Sequence, residues 1–189
     1  MRVVKKPEER RAEMIAAASR LFAEQGFVKT SVTEIVTAVD VAKGLFYYYF
    51  TTKNDMVKAV VEGLCSYMGT LANTVADGEG TGLEKIDRLL EHRIWAQCFT
   101  QPLIADLCMP QHTALYADMC DRMYTHMGPA IERMTAQALR EKGRDDKHAG
   151  AIMGVGLYGI LMMARKGDMN MNDVGRMIRR LIASETDAA

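Results

Sequence analysis

From Lys53 onward the apolar residues keep to one helical face. Val57, Val60, Val61, Leu64, Met68, Leu71 and Val75 recur in the i, i+3, i+4, i+7 order of a 3.6-residue period. The same period dominates the rest of the chain and no convincing alternating strand interrupts it, so the sequence predicts an all-α protein. A stripe of this length predicts one helix from Lys53 to about Ala76, long enough to leave an N-terminal module and join two halves rigidly. The boundary is set inside it, near its start, giving an N-terminal domain of residues 1–53 and a larger helical domain of residues 54–189. Asp77-Gly78-Glu79-Gly80-Thr81-Gly82 carries three glycines and no large apolar side chain, which marks a loop.

The N-terminal module is punctuated by local chemistry. Pro7 suits the first turn of a helix, Ile15, Ala18 and Phe22 lie along one stripe, and Gly26 can end that helix with Phe27 as the apolar contact beyond it. A first helix over about residues 7–25 follows. Ser31-Val32-Thr33-Glu34 has the capping-box pattern, in which a hydroxyl and a carboxylate each satisfy a free backbone N–H, so a short second helix should occupy about residues 32–39. Asp40 accepts a left-handed turn more readily than most residues, and the chain is expected to resume as a third helix near Ala42. Two short helices about a tight turn make a helix-turn-helix.

The informative stretch, which begins with the third helix, reads AKGLFYYYFTTK over residues 42–53. At 100° per residue, Phe46, Tyr49 and Phe50 fall on one side, where they would seat the helix on the first two. Gly44 and Tyr48 fall on the opposite side, flanked by Lys43, Tyr47 and Leu45. Glycine inside a helix costs roughly 1 kcal/mol relative to alanine, so on an outward face it suggests a partner that approaches the backbone closely. Phenol and ammonium groups donate to phosphate oxygens, and a helix of this size fits a major groove. Thr30, Ser31 and Lys53 stand at helix starts, where a side chain and free N–H groups can hold a phosphate together. The competing reading makes the tyrosines an aromatic core cluster and Ser31 a cap and nothing more.

Charge agrees with a nucleic-acid partner at one end. The chain is neutral overall, yet residues 1–53 hold nine Lys/Arg against six Asp/Glu, or +3, which leaves fifteen against eighteen, or −3, for residues 54–189. No apolar run reaches the roughly 18 residues that span a bilayer, and the N-terminus lacks the apolar stretch of a signal peptide, so a cytoplasmic protein without membrane attachment is expected. Cys65, Cys98, Cys108 and Cys120 lack the close pairing of zinc or redox motifs and read as reduced thiols in a helical core.

Residues 7–56 resemble the DNA-binding domain of the tetracycline-repressor (TetR) family. The resemblance rests on Ala18, Leu21, Phe22, Gly26, Thr30-Ser31, Glu34-Ile35, Val41, Lys43-Gly44, Tyr47 to Phe50, Lys53 and Met56, in order and at spacing. It implies a homodimer bound to a roughly palindromic operator, usually to repress, and released when a small molecule occupies the C-terminal ligand-binding and dimerisation domain. The DNA-facing residues are then Thr30, Ser31, Lys43, Gly44, Leu45, Tyr47, Tyr48 and Lys53. Three positions depart from the pattern: Asp40 stands where glycine is usual, Ala42 where a hydroxyl residue often caps, and Leu45 where a small polar residue is common. Leu45 puts base preference in doubt, with a thymine methyl one apolar contact it could make.

Further helices are expected over about 83–98, 101–109, 111–141, 146–166 and 172–185, with Pro129 kinking or splitting the longest. Fifteen methionines are many for this length, most lie beyond residue 100, and methionine lines surfaces that accept varied apolar partners. Trp95, Phe99, Met119, Met123, Tyr124, Met127 and Tyr158 are the candidate walls of an apolar effector pocket, with His92, Arg93 and His112 as polar handles. Ile152, Leu157, Ile160, Leu161, Val174, Met177, Ile178 and Leu181 form stripes that two copies would cover as a four-helix interface. Gly154 to Gly159 spells GxGxxG, but it lies inside a helical stretch without the strand that a dinucleotide site needs. No cofactor, metal site or nucleophile-base pair is indicated, so no enzymatic activity is expected; the alternative to a regulator is a helical binding protein whose N-terminal module does not dock on DNA.

Overall fold

The structure, a computed structural model, describes residues 6–92 and 101–144 together with 156, 176, 179 and 180. These residues are all-α, and they divide into two compact units. One combines Met1–Leu64 with Gln97–Met119, and the other Cys65–Ala96 with Cys120–Ala189.

In the first unit, α1 (Pro7–Gln25) starts at Pro7 and stops at Gly26, whose φ of 83° lies in the region open to glycine. Its buried residues Met14, Ala17, Ala18 and Phe22 recur at helical spacing. Helix α2 (Val32–Ala38) begins with the expected box: Ser31 Oγ accepts the Glu34 N–H at 3.1 Å, and Glu34 Oε2 accepts the Ser31 N–H at 2.7 Å. The turn that follows is closed by the Val41 N–H on Val36 O at 3.0 Å and by Asp40 at φ 50°, as its sequence suggested. Helix α3 (Lys43–Tyr49) buries Phe46 fully, and Phe50 just beyond it is also buried. Burying a phenylalanine stabilises by roughly 1.5–3 kcal/mol, so these two rings seat the helix. Helix α4 (Lys53–Asp77) opens the long stripe with Met56, Val57, Val60 and Val61 buried. Two short elements complete the unit: α6 (Pro102–Leu107), which packs on α1 through buried Leu103, Ile104 and Leu107, and a 3₁₀ turn over Pro110–His112.

In the second unit, α4 continues through buried Cys65, Met68 and Ala72, and α5 (Gly82–Glu91) starts on a Thr81–Glu84 capping box. Helix α7 (Thr113–Glu141) supplies Cys120, Met123, Met127, Ala130, Met134 and Ala138 to this core. The packing is close enough to need glycine twice. A Cβ on Gly82 would sit 2.3 Å from Ala138 N and 2.5 Å from Met134 O, and one on Gly69 would sit 2.8 Å from His126 O. Lys85 is buried, its ammonium donating to Ala76 O and Gln137 Oε1 at 3.0 Å each, while Gln137 donates onward to Gly80 O and Glu141 Oε1. The glycine-rich loop is thus stitched to α7 by side chains.

Two sequence expectations change. Helix α5 ends at Glu91, with His92 in extended backbone, rather than running to residue 98. Helix α7 passes through Pro129 without splitting, because the exposed proline forfeits one rung while Met127, Gly128, Ala130 and Ile131 on either side are buried. The stripes expected over 146–166 and 172–185 lie outside the described residues, apart from Gly156, Arg176, Arg179 and Arg180, which are helical. No helix among the described residues is long and apolar enough to cross a membrane.

Candidate nucleic-acid interface

The face of α3 that turns away from the core carries Lys43, Gly44, Tyr47 and Tyr48, all exposed, with Leu45 half-buried at its edge. Tyr48 is 75 % exposed and Tyr47 52 %, unusual values for large rings in a unit where Phe22, Phe27, Phe46, Phe50 and Tyr116 are buried. Their posture is nonetheless held: Tyr47 meets the buried Phe46 edge-on at 5.4 Å, and Tyr48 meets Tyr49 edge-on at 4.9 Å. Among the described residues neither phenol hydroxyl of this pair has a hydrogen-bond partner, so both remain available as donors. A Cβ on Gly44 would meet nothing within 4 Å, so no neighbour inside the protein requires glycine there. The competing reading of Tyr47 to Tyr49 as an aromatic core cluster therefore does not fit Tyr47 and Tyr48, which are exposed, while Tyr49 is half-buried.

Two of the expected phosphate ligands are instead turned inward. Thr30 is fully buried, its hydroxyl donating to Gly26 O at 2.7 Å and accepting from Gln25 Nε2 at 3.2 Å. The Lys53 ammonium donates to three carbonyls of the α1–α2 connection, Phe27 O at 2.9 Å, Thr30 O at 3.2 Å and Val28 O at 3.4 Å, and an ammonium has three N–H groups to give. In this arrangement both side chains are engaged with the chain that enters α2. Ser31 stays exposed, with its oxygen committed to the cap. Glu34 is held below the usual carboxylate range, first by the Ser31 backbone N–H, then by Gln25 and the Ser31 side chain, with Lys53 adding attraction.

Two residues that the sequence did not single out for this interface engage the same stretch of chain. Asp106 Oδ2 accepts the Val28 N–H at 2.8 Å, and the His112 ring packs on Phe27 at 4.8 Å. His112, expected as a polar handle for an effector, is thereby occupied in the first unit, its Nδ1 lying 2.7 Å from Asp106 O. Asp106 left no local signal, since its partner lies 78 positions away in the chain.

Of the candidate effector residues, Met119, Met123 and Met127 are buried along one stripe of α7. Tyr124 is half-buried off that stripe. Its ring lies against Gly128, where an added Cβ would be 3.1 Å away, and its hydroxyl donates to Glu132 Oε1 at 3.1 Å, which with partial burial pushes the phenol pKa up. Trp95, Phe99 and Tyr158 lie outside the described residues, as do Arg93 and Cys98. Cys65 and Cys120 are buried and Cys108 is half-buried, none of them in a disulfide.

Comparison with known proteins bears on the same region. Residues 14–60 match the family model of bacterial regulatory proteins of the tetR family. The regulator HbdR of Aromatoleum sp. (strain CIB) is 35 % identical over 92 residues, 48 % of this chain and 38 % of its own length. The repressor KstR2 of Mycobacterium tuberculosis is 27 % identical over 88 residues, 47 % of this chain and 44 % of its own. The matched stretch thus spans less than half of either relative. Across most of the chain the likeness is one of fold: RolR without ligand superposes with a TM-score of 0.71 at 17 % identity, covering 91 % of this chain and 90 % of that one. RolR has also been solved in complex with resorcinol, with a TM-score of 0.70 at 21 % identity, covering 93 % of this chain and 86 % of that one.

Proposed function

We propose, from the match of residues 14–60 to the family model of bacterial regulatory proteins of the tetR family, that this chain is a homodimeric DNA-binding transcriptional regulator, a repressor released by a small, mainly apolar molecule. The observation that carries the reading is the outward face of α3. Tyr48 and Tyr47 project into solvent with unpartnered hydroxyls beside Lys43 and an unobstructed Gly44. Two such helices, one per protomer, would enter successive major grooves about 34 Å apart. Ser31 and Lys43 are read as backbone contacts, Gly44, Leu45, Tyr47 and Tyr48 as the surface against the groove, and Thr30 and Lys53 as supports of that surface. The names of HbdR and KstR2 support regulation and repression.

The functional division at residues 53/54 is retained, with DNA contact assigned to the N-terminal domain and effector binding and dimerisation to the other. The buried methionines of α7 favour an apolar effector, because apolar burial supplies affinity while a few polar groups orient the ligand. Resorcinol, the ligand of RolR, is a rational first compound to assay. The protein acts in the cytoplasm and is not an enzyme. Fluorescence anisotropy with duplexes from the region upstream of its own gene tests the proposal: binding that strengthens as salt falls, and that an apolar compound reverses, is the expected result. Binding of apolar compounds with no affinity for any of these duplexes would favour the helical binding protein instead.

A further inference from the structure

Residues 26–30, which carry the chain from α1 into α2, are gripped by two charged side chains from elsewhere. Lys53 takes the carbonyls of Phe27, Val28 and Thr30, and Asp106 takes the N–H of Val28. Asp106 can come this close because residue 26 has no side chain: a Cβ on Gly26 would lie 2.3 Å from Asp106 Oδ2. The carboxylate is not a flexible surface group. Leu103, Ile104 and Leu107 bury the same short helix, and His112 returns to Asp106 O while its ring covers Phe27. Holding the acceptor on an anchored helix removes most of the side-chain entropy that normally erodes an exposed hydrogen bond.

We infer that Asp106 is a positioning residue for DNA binding, acting through the Val28 amide to fix the α1–α2 connection and hence the attitude of α2 and α3. The inference rests on the DNA-binding reading above. Its sign makes it testable. Asp106 is an anion on the unit that meets phosphates, so by charge alone its removal should tighten binding to DNA. A loss of affinity on removing it therefore does not come from charge; it reports lost geometry or lost stability, which a destabilised control separates. Asparagine keeps an oxygen that accepts the Val28 N–H and drops the charge, so Asp106→Asn should be spared where Asp106→Ala is not.

The experiment titrates full-length wild type, Asp106→Ala, Asp106→Asn and Met14→Ala against a labelled duplex from the upstream region at several salt concentrations, with amide exchange followed at Val28. Met14 is fully buried in α1 and takes part in none of the hydrogen bonds just described, so its variant reports what loss of stability does. The expected result is binding about tenfold weaker for Asp106→Ala and within about twofold of wild type for Asp106→Asn, the scale of one charge-assisted hydrogen bond. The salt slope should stay unchanged, and faster exchange at Val28 should appear in the alanine variant alone. Wild-type or tighter binding by Asp106→Ala, a loss matched by Met14→Ala, or an equal loss in Asp106→Asn overturns the inference while leaving DNA binding intact. Failure of the wild type to bind any duplex overturns both.

Discussion

Replacing Lys53 by methionine keeps the length of the side chain and removes only the ammonium. Three carbonyls then lose a charged donor, at 2.9, 3.2 and 3.4 Å in the native protein. A hydrogen bond to a charged group contributes about 1.5–3 kcal/mol net. The longest of the three is worth the least, and Lys53 is half-buried, so water recovers part of the loss. A destabilisation of about 2–4 kcal/mol remains, or a fall in Tm of about 6–12 °C for a chain of this size. Were Lys53 a phosphate ligand instead, stability would hardly change, and the slope of log affinity against log salt would flatten by about 0.9. Differential scanning fluorimetry and salt-dependent anisotropy on one preparation separate the two. An unchanged Tm together with a flattened slope would refute the bracing role.

Four further outcomes follow from particular contacts. Tyr48→Ala should lower operator affinity about tenfold while leaving stability within about 0.5 kcal/mol, since the ring is 75 % exposed; gel shift and urea melts check both. Asp40→Gly should stabilise by up to about 1 kcal/mol, because φ 50° strains any L-residue and the larger unfolded-state entropy of glycine offsets part of the relief. Gly82→Ala should destabilise by about 3 kcal/mol, because its Cβ would press on the backbone of α7 at 2.3 Å, and a lowered denaturant midpoint checks it. Glu34 has a depressed pKa in the fold, so its contribution is present above its unfolded pKa and is lost as pH falls through the folded value; Glu34→Gln should show a shallower loss of stability in acid melts.

What the sequence disclosed was whatever is local. The Ser31–Glu34 box, Gly26 as a stop, Asp40 in a left-handed turn, and Phe46 and Phe50 as the seat of α3 each depend on residues within a turn or two of one another. Each is found in the structure. The Thr81–Glu84 box had the same signature and could have been read by the same rule. The inward hydrogen bonds of Thr30 and Lys53 were not legible, because the groups they donate to are backbone carbonyls, which leave no mark in a sequence. Those of Lys53 lie up to 26 positions away. The stop at Glu91 was hidden too, since neither glycine nor proline marks it. Helix α7 survives its proline because burial on both sides outweighs one lost rung, a balance that pattern alone cannot weigh.

The unit that contains the helix-turn-helix is assembled from two separate stretches of chain, Met1–Leu64 and Gln97–Met119. Leu103, Ile104 and Leu107 are core residues of that unit although the sequence delivers them more than fifty positions after the helix-turn-helix ends at Tyr49. The module is therefore not portable as a contiguous fragment. A chimaera cut after residue 53, or even after residue 64, would expose the side of α1 that α6 covers and would leave the Val28 amide without its acceptor. Exchange between relatives would have to carry residues 97–119 along with the first sixty-four, so the integrity of the DNA-reading surface depends on a stretch of chain delivered far downstream of it.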